Sequence, residues 1–263
     1  MIFYYYMFVH QGNNRNQIQN IGIASLLSFV AGNVNVVGFL TVKQLTTNVT
    51  GHFAFMMEEA LQANINQTFF YFLYIFCFFL GAFFSNFIIE TIYQLTKKYY
   101  FILPVLLEVI LLTSIAFQNT TFIHTHYQFF SCLLLFTMGM QNSLVTTISN
   151  AVIRTTHLTG LFTDLGIEIS QLFFQKISEK REKIIASIKL RLSIITFFFL
   201  GGLIAGIVYD KFNIKTLLIA AFVLVIGLSV DYFILNKKNM ISFKAQLMAT
   251  RKLTSPKKSI QIY

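Results

Sequence analysis

The chain has 263 residues, with 20 basic and 10 acidic side chains for a net charge of +10; 56% of its residues are hydrophobic and 11% are charged. A soluble domain usually carries about 25% charged residues, so an ordinary soluble enzyme, a disordered chain and a disulfide scaffold are all excluded. The positive charge would suit nucleic acid in a polar domain, but 31 phenylalanines and a mean hydropathy of +0.66 point to a membrane instead.

The first ten residues, MIFYYYMFVH, are apolar but short, and lack both a basic leading region and a small-residue cleavage site. Residues 1–20 are therefore expected to form a cytoplasmic segment and no signal peptide is expected. A membrane-spanning helix needs roughly 20 mostly apolar residues. In chain order, six stretches qualify: Ile21–Val42, Thr68–Tyr93, Tyr99–Phe117, Tyr127–Ile148, Leu192–Tyr209 and Ile214–Leu235. Residues 21–117 hold the first three spans and 118–236 the second three. Residues 237–263 form a basic tail, expected to be cytoplasmic and disordered.

Charge tests the count. With six spans, 17 of the 20 lysines and arginines fall on one side, and only Lys43, Lys211 and Lys215 on the other. The positive-inside rule then puts both termini in the cytoplasm. An odd number of spans would put the two main basic clusters on opposite sides. Cys77 and Cys132 fall inside spans, so neither is placed for an extracytoplasmic disulfide, and no CxxC or Cys/His metal spacing exists; His124 and His126 form only a lone HxH in a short outer loop, a weak signal for a metal. The basic run Ser178–Arg191 and the tail are expected to rest on anionic headgroups.

The chain repeats itself. Thr46-Thr47-Asn48-Val49-Thr50-Gly51 recurs as Thr155-Thr156-His157-Leu158-Thr159-Gly160, a shift of 109 that also aligns Asn33 with Asn142 and Glu59 with Glu168. Phe78-Phe79-Leu80-Gly81-Ala82 recurs as Phe198-Phe199-Leu200-Gly201-Gly202, a shift of 120. The repeated unit contains three spans, an odd number, so chain direction makes the two halves inverted in the membrane. The expected fold is all-α: six transmembrane helices as two inverted three-helix repeats, with short re-entrant or interfacial helices after spans one and four. Gly81 with Ser85, and Gly201 with Ala205, put small residues at the four-residue spacing that lets helices approach closely. They are expected to be the packing seam of each half.

Polar residues inside spans mark the candidate site. Asn33 and Asn35 follow Gly32 within span one, and Gln141 and Asn142 follow Gly139 within span four. Amides in hydrocarbon either bond across helices or line a wet cavity, and glycine beside them would favour a broken helix. Thr50-Gly51 and Thr159-Gly160 read as helix starts, with the threonines as caps; a helix N-terminus favours an anion. Glu108 lies mid-span after Pro104, where a carboxyl suits proton exchange. Arg154 is placed to pair with Asp164 or with a substrate anion. No GxSxG or HExxH motif and no acidic pair at a shared depth is present, so neither catalysis nor a bound metal is expected.

At these residues the chain resembles a known family. Ala31-Gly32-x-Val34-x-x-x-Gly38-Phe39 with Thr50-Gly51 resembles the first signature of the YoaK family of bacterial polytopic membrane proteins. Gly139-Met140-Gln141-Asn142-Ser143-Leu144-Val145 and Arg154-Thr155-Thr156-x-x-Thr159-Gly160-x-x-Thr163-Asp164-Leu165-Gly166 resemble its second. The resemblance covers about residues 20–236 and implies a bacterial cytoplasmic membrane and about six spans, but no substrate. Asn35 stands where the family commonly has Asp; a proton-coupling role for that Asp would here be absent or displaced to Glu108. The expectation is a small secondary transporter or permease for a polar or anionic solute. The alternative is a non-transporting scaffold or accessory subunit. The bilayer is the partner in either case, and self-association into a homo-oligomer is left open.

Overall fold

A computed structural model of the chain describes Phe8, residues 15–96 and residues 100–233. The basic tail, Lys97, Lys98 and most of the first 20 residues lie outside the described residues. Those described are helical, joined by short connections, with no strand among them. In order they form α1 (Gln17–Val42), α2 (Val49–Leu61), α3 (Ile65–Thr96), α4 (Ile102–Ala116), α5 (Thr120–Thr125), α6 (Tyr127–Ser149), α7 (Leu158–Phe174) and α8 (Ser178–Phe212). A 3-10 turn, Asn213–Thr216, leads into α9 over residues 217–233.

Four helical stretches are long and apolar enough to cross a membrane: Gln17–Val42, Ile65–Thr96, Tyr127–Ser149 and the continuous Ser178–Phe233. That differs from the six expected, for two physical reasons. The third expected span is helical over only 15 residues, Ile102–Ala116, about 22 Å at 1.5 Å per residue and short of a hydrocarbon core of about 30 Å. The fifth and sixth are separated only by the 3-10 turn Asn213–Thr216, which Asn213 opens with a φ of 49°. The basic run Ser178–Arg191, expected as a separate surface stretch, continues into the apolar part of α8. No proline or glycine breaks it before Gly201, and Lys183 bridges to Glu179 one turn earlier at 2.7 Å.

The long helices pair in parallel. Along α1 and α8, Gln17 donates to the Ala186 carbonyl, Phe29 meets Gly201, Gly32 meets Phe198 and Gly202, and the Thr41 hydroxyl lies 3.0 Å from the Tyr209 hydroxyl. Along α3 and α6, Gly81 meets Phe136, Gly139 meets Phe78, and Thr147 donates to Asn86 at 3.1 Å. Glycine is required at these contacts. An added Cβ would sit 2.0 Å from a backbone carbonyl oxygen at Gly32 and at Gly201, 1.9 Å at Gly81 and 2.1 Å at Gly139. These glycines therefore do not form a seam within each half of the sequence; they join α3 to α6 and α1 to α8, across the halves. Nor do Gly32 and Gly139 break their helices, which run uninterrupted through both positions. Close packing, which glycine alone permits, outweighs its helix penalty of about 1 kcal/mol.

α9 returns along α1, with Gly227 against Leu26 and Asp231 accepting the Phe8 backbone N–H. α3 buries one stripe, Tyr74, Gly81, Ser85 and Ile89. Its outer face carries Phe72, Phe76, Phe79, Phe83 and Phe87, stacked at 6.0–6.5 Å between ring centroids. A helix apolar on every side, with aromatic rings facing outward, suits lipid.

Both short helices begin beside the body of a long one. The connection after α1 folds back so that Thr47 donates to Asn35 at 2.9 Å, and α2 starts at that level. α2 then runs against α3, with the His52 ring 5.5 Å from Tyr74. The connection after α6 does the same, Thr156 donating to Asn142 at 2.9 Å, before α7 runs against α8. The helix starts expected at Thr50 and Thr159 lie two residues earlier. Asn48 caps α2 by accepting the Gly51 N–H, while His157 precedes α7 with no side-chain cap.

Candidate solute cavity

The two folded-back connections meet around one cavity of about 710 Å³. α1 contributes Asn35, the connection after it Thr47 and Asn48, and the first turn of α2 Thr50 and Gly51. α6 contributes Asn142, the connection after it Thr156 and His157, and the first turn of α7 Thr159; Phe78 and Phe198 complete the wall from α3 and α8. No Asp, Glu, Lys or Arg lines it.

The two hydrogen bonds from threonine to asparagine decide what the cavity offers. Each asparagine Oδ1 is engaged by a threonine hydroxyl, Thr47 for Asn35 and Thr156 for Asn142. Each amide NH₂ is thereby left as the group with no partner among the described residues. The first turns of α2 and α7 add backbone N–H groups and the positive end of a helix dipole. The site is thus rich in donors without carrying a formal charge.

These bonds also correct the register read from the sequence. Asn35, and not Asn33, occupies the position equivalent to Asn142. α1 and α6 end at Val42 and Ser149, 107 residues apart, whereas α2 and α7 start at Val49 and Leu158, 109 apart. The second connection is two residues longer, so the offset that aligns the threonine motifs misplaces the helix before them.

A second pocket of about 480 Å³ lies beside the first, with His157 lining both. It holds Arg154, Gly160, Asp164, Ser187 and Arg191. Asp164 pairs with Arg191 at 2.9 Å and not with Arg154. Arg191 also grips Glu168 with two bonds, Nε at 2.9 Å and Nη2 at 3.0 Å, and Ser187 donates to the same carboxylate at 2.6 Å. The Arg154 side chain is exposed and has no hydrogen bond or ion pair among the described residues.

The eleven residues singled out in the sequence therefore divide three ways. Asn35, Thr50, Gly51, Asn142 and Thr159 share the cavity. Arg154, Gly160 and Asp164 line the neighbouring pocket. Asn33, Glu108 and Gln141 are buried in the helix packing and line neither. Gln141 donates to the Leu27 carbonyl at 2.7 Å, crossing from α6 to α1. Both polar atoms of Asn33 and both carboxyl oxygens of Glu108 lack a partner among the described residues.

Arg191, Ser187 and the two wall phenylalanines were not foreseen. In the sequence Arg191 is only one more positive charge before an apolar stretch. Phe78 and Phe198 were visible as a repeated pair, and that repetition at a shift of 120 was the signal available for them. No curated protein and no solved structure matches the chain. A family model described as "Protein of unknown function (DUF1275)" matches residues 23–230, from the first turns of α1 to near the end of α9. With its all-helical fold and its long apolar helices, this chain belongs to the DUF1275 family.

Proposed function

We propose that the chain is a small secondary transporter or permease of the bacterial cytoplasmic membrane, close to the YoaK proteins of its family, and not an enzyme. It crosses the membrane six times with both termini in the cytoplasm. Two inverted three-helix repeats, α1 with α3 and α4, and α6 with α8 and α9, enclose the solute site, and α2 and α7 are re-entrant. The solute is small and polar or anionic.

The observation that carries this reading is the single cavity to which both repeats bring the same groups: Asn35 and Asn142, Thr47 and Thr156, Thr50 and Thr159, Phe78 and Phe198. Parallel pairing of α1 with α8 and of α3 with α6 supports inversion, because a three-helix unit used twice in opposite senses pairs its helices in that way. The return of α9 along α1 supports a sixth crossing despite the continuous helical stretch. Facing helix N-termini and free amide donors favour an anion. Glu108, buried without a partner among the described residues, is the group for proton exchange.

Uptake into proteoliposomes tests the reading. A panel of small inorganic and carboxylate anions is expected to include one that enters faster than in empty vesicles. Asn35→Leu and Asn142→Leu each remove a donor from the cavity and are expected to cut that flux about tenfold, the loss of a hydrogen bond worth roughly 1.5 kcal/mol. Unchanged flux in both variants sinks the site. A scaffold role is the second reading. It is favoured by the bonds that join helices directly, Gln141 to Leu27, Thr147 to Asn86 and Thr41 to Tyr209, and an absence of flux across the whole panel would select it.

A further inference from the structure

Cys77 on α3 and Cys132 on α6 stand one helical turn before Gly81 and Phe136. At that next turn the backbones touch, with an added Cβ on Gly81 falling 1.9 Å from the Phe136 carbonyl oxygen. On the other side of the cysteines, Tyr74 of α3 and Ser131 of α6 are both buried. Cys77 and Cys132 thus take up matching places on the two helices, one turn from that backbone contact, and both are free thiols and half-buried. Ordinary helix pairs lie 8–10 Å apart, too far for a disulfide, which needs Cα atoms about 4.4–6.8 Å apart. Glycine contact at the adjacent turn brings this pair closer. The positions aligned by the repeat are Phe197 and Ser25, so the α1–α8 pairing has no such couple.

We propose that Cys77 and Cys132 form a redox site that closes to a disulfide between α3 and α6 when a lipid-soluble, two-electron oxidant of the quinone class reaches it. Both S–H bonds break and one S–S bond forms. The two electrons and two protons pass to the two carbonyl oxygens of the quinone, which leaves as a quinol. The class of oxidant follows from location. The thiols sit within apolar helices among outward-facing phenylalanines, where a charged, water-borne disulfide such as oxidised glutathione pays a desolvation cost. The bond would tie together the helices that carry Phe78 and Asn142 of the cavity. It does not depend on the solute reading.

The test uses the full chain in proteoliposomes, treated either with duroquinone, whose fully substituted ring cannot alkylate thiols, or with oxidised glutathione. Free thiols are then blocked with maleimide and the digested chain is mapped by mass. The expected result is an intramolecular link between the Cys77 and Cys132 peptides, an intact mass lower by two hydrogens, and reversal by dithiothreitol. Oxidised glutathione should form it about tenfold more slowly, because access as well as thiolate character governs the rate. Cys77→Ser should abolish the link while the variant still inserts in the vesicles. Absence of the link under duroquinone, or links mainly between two chains, overturns the site. Equal rates with the two oxidants overturn the assignment to the quinone class.

Discussion

Where the α2–α3 hairpin sets the Phe55 ring against Tyr71, with centroids 5.5 Å apart, the α7–α8 hairpin sets Asp164 against Arg191 at 2.9 Å. The positions correspond: the two repeat offsets carry Phe55 to Asp164 and Tyr71 to Arg191. Around the first contact sit His52 and Tyr74, an aromatic cluster. Around the second sit Glu168 and Ser187, a hydrogen-bonded ionic cluster. Two helix hairpins with matching sequence positions are thus held in different ways. Aromatic faces gain from burial and edge-to-face geometry and are insensitive to salt. A guanidinium between two carboxylates gains from charge-assisted bonds, is weakened by salt where exposed, and leaves costly residues if one partner is removed.

The difference can be broken from either side. Arg191→Met is expected to have the largest effect. It leaves the Glu168 carboxylate, 14% exposed, with only Ser187, and should destabilise the chain by about 3 kcal/mol, read as a lower unfolding midpoint in detergent and as faster proteolysis between α6 and α8. Transplanting the clamp comes next. Phe55→Asp and Tyr71→Arg should each destabilise, but the double variant should recover at least about 1 kcal/mol of their summed cost in a double-mutant cycle. A coupling of zero would show that the two hairpins do not share a geometry.

Glu168→Gln keeps the shape but exchanges charged bonds for neutral ones, an expected loss of about 1–2 kcal/mol by thermal unfolding. Asp164→Asn should be the mildest, below about 1 kcal/mol, because its side chain is half exposed. Raising salt should lower the stability difference between Asp164→Asn and the parent chain. It should leave unchanged any difference made by Tyr71→Phe in the other hairpin. Equal salt responses in both would sink the distinction.

Much of the fold was legible because its signals are local. Runs of apolar residues located α1, α3 and α6 to within a few residues, and the threonine-glycine motifs located α2 and α7. Length was less legible. Nothing in composition stops a basic amphipathic run from joining the apolar helix after it, so α8 came out as one helix where two segments were expected. Part of the candidate cavity was legible too: Asn35 and Asn142 stand out by their polarity in an apolar setting, Thr50, Gly51 and Thr159 as helix starts, and all five line it. Asn33, Glu108 and Gln141 carried the same signal yet lie elsewhere, because polarity in a span does not say which face of the helix turns toward the cavity. Arg191 carried no signal beyond its charge. Its role depends on two carboxylates 23 and 27 positions away in the chain.

Sequence alone determined that this chain is helical and apolar enough for a membrane, and that its threonine-glycine and phenylalanine-glycine motifs each occur twice. Each follows from composition or from spacing along the chain, and neither needs a partner surface. Tertiary structure decided which helices the glycines join, which asparagine answers Asn142, and that two threonine connections fold back to one cavity. Those outcomes depend on backbones approaching to within contact and on a two-residue difference in loop length. Such differences change little in the sequence, yet they set which side chains meet.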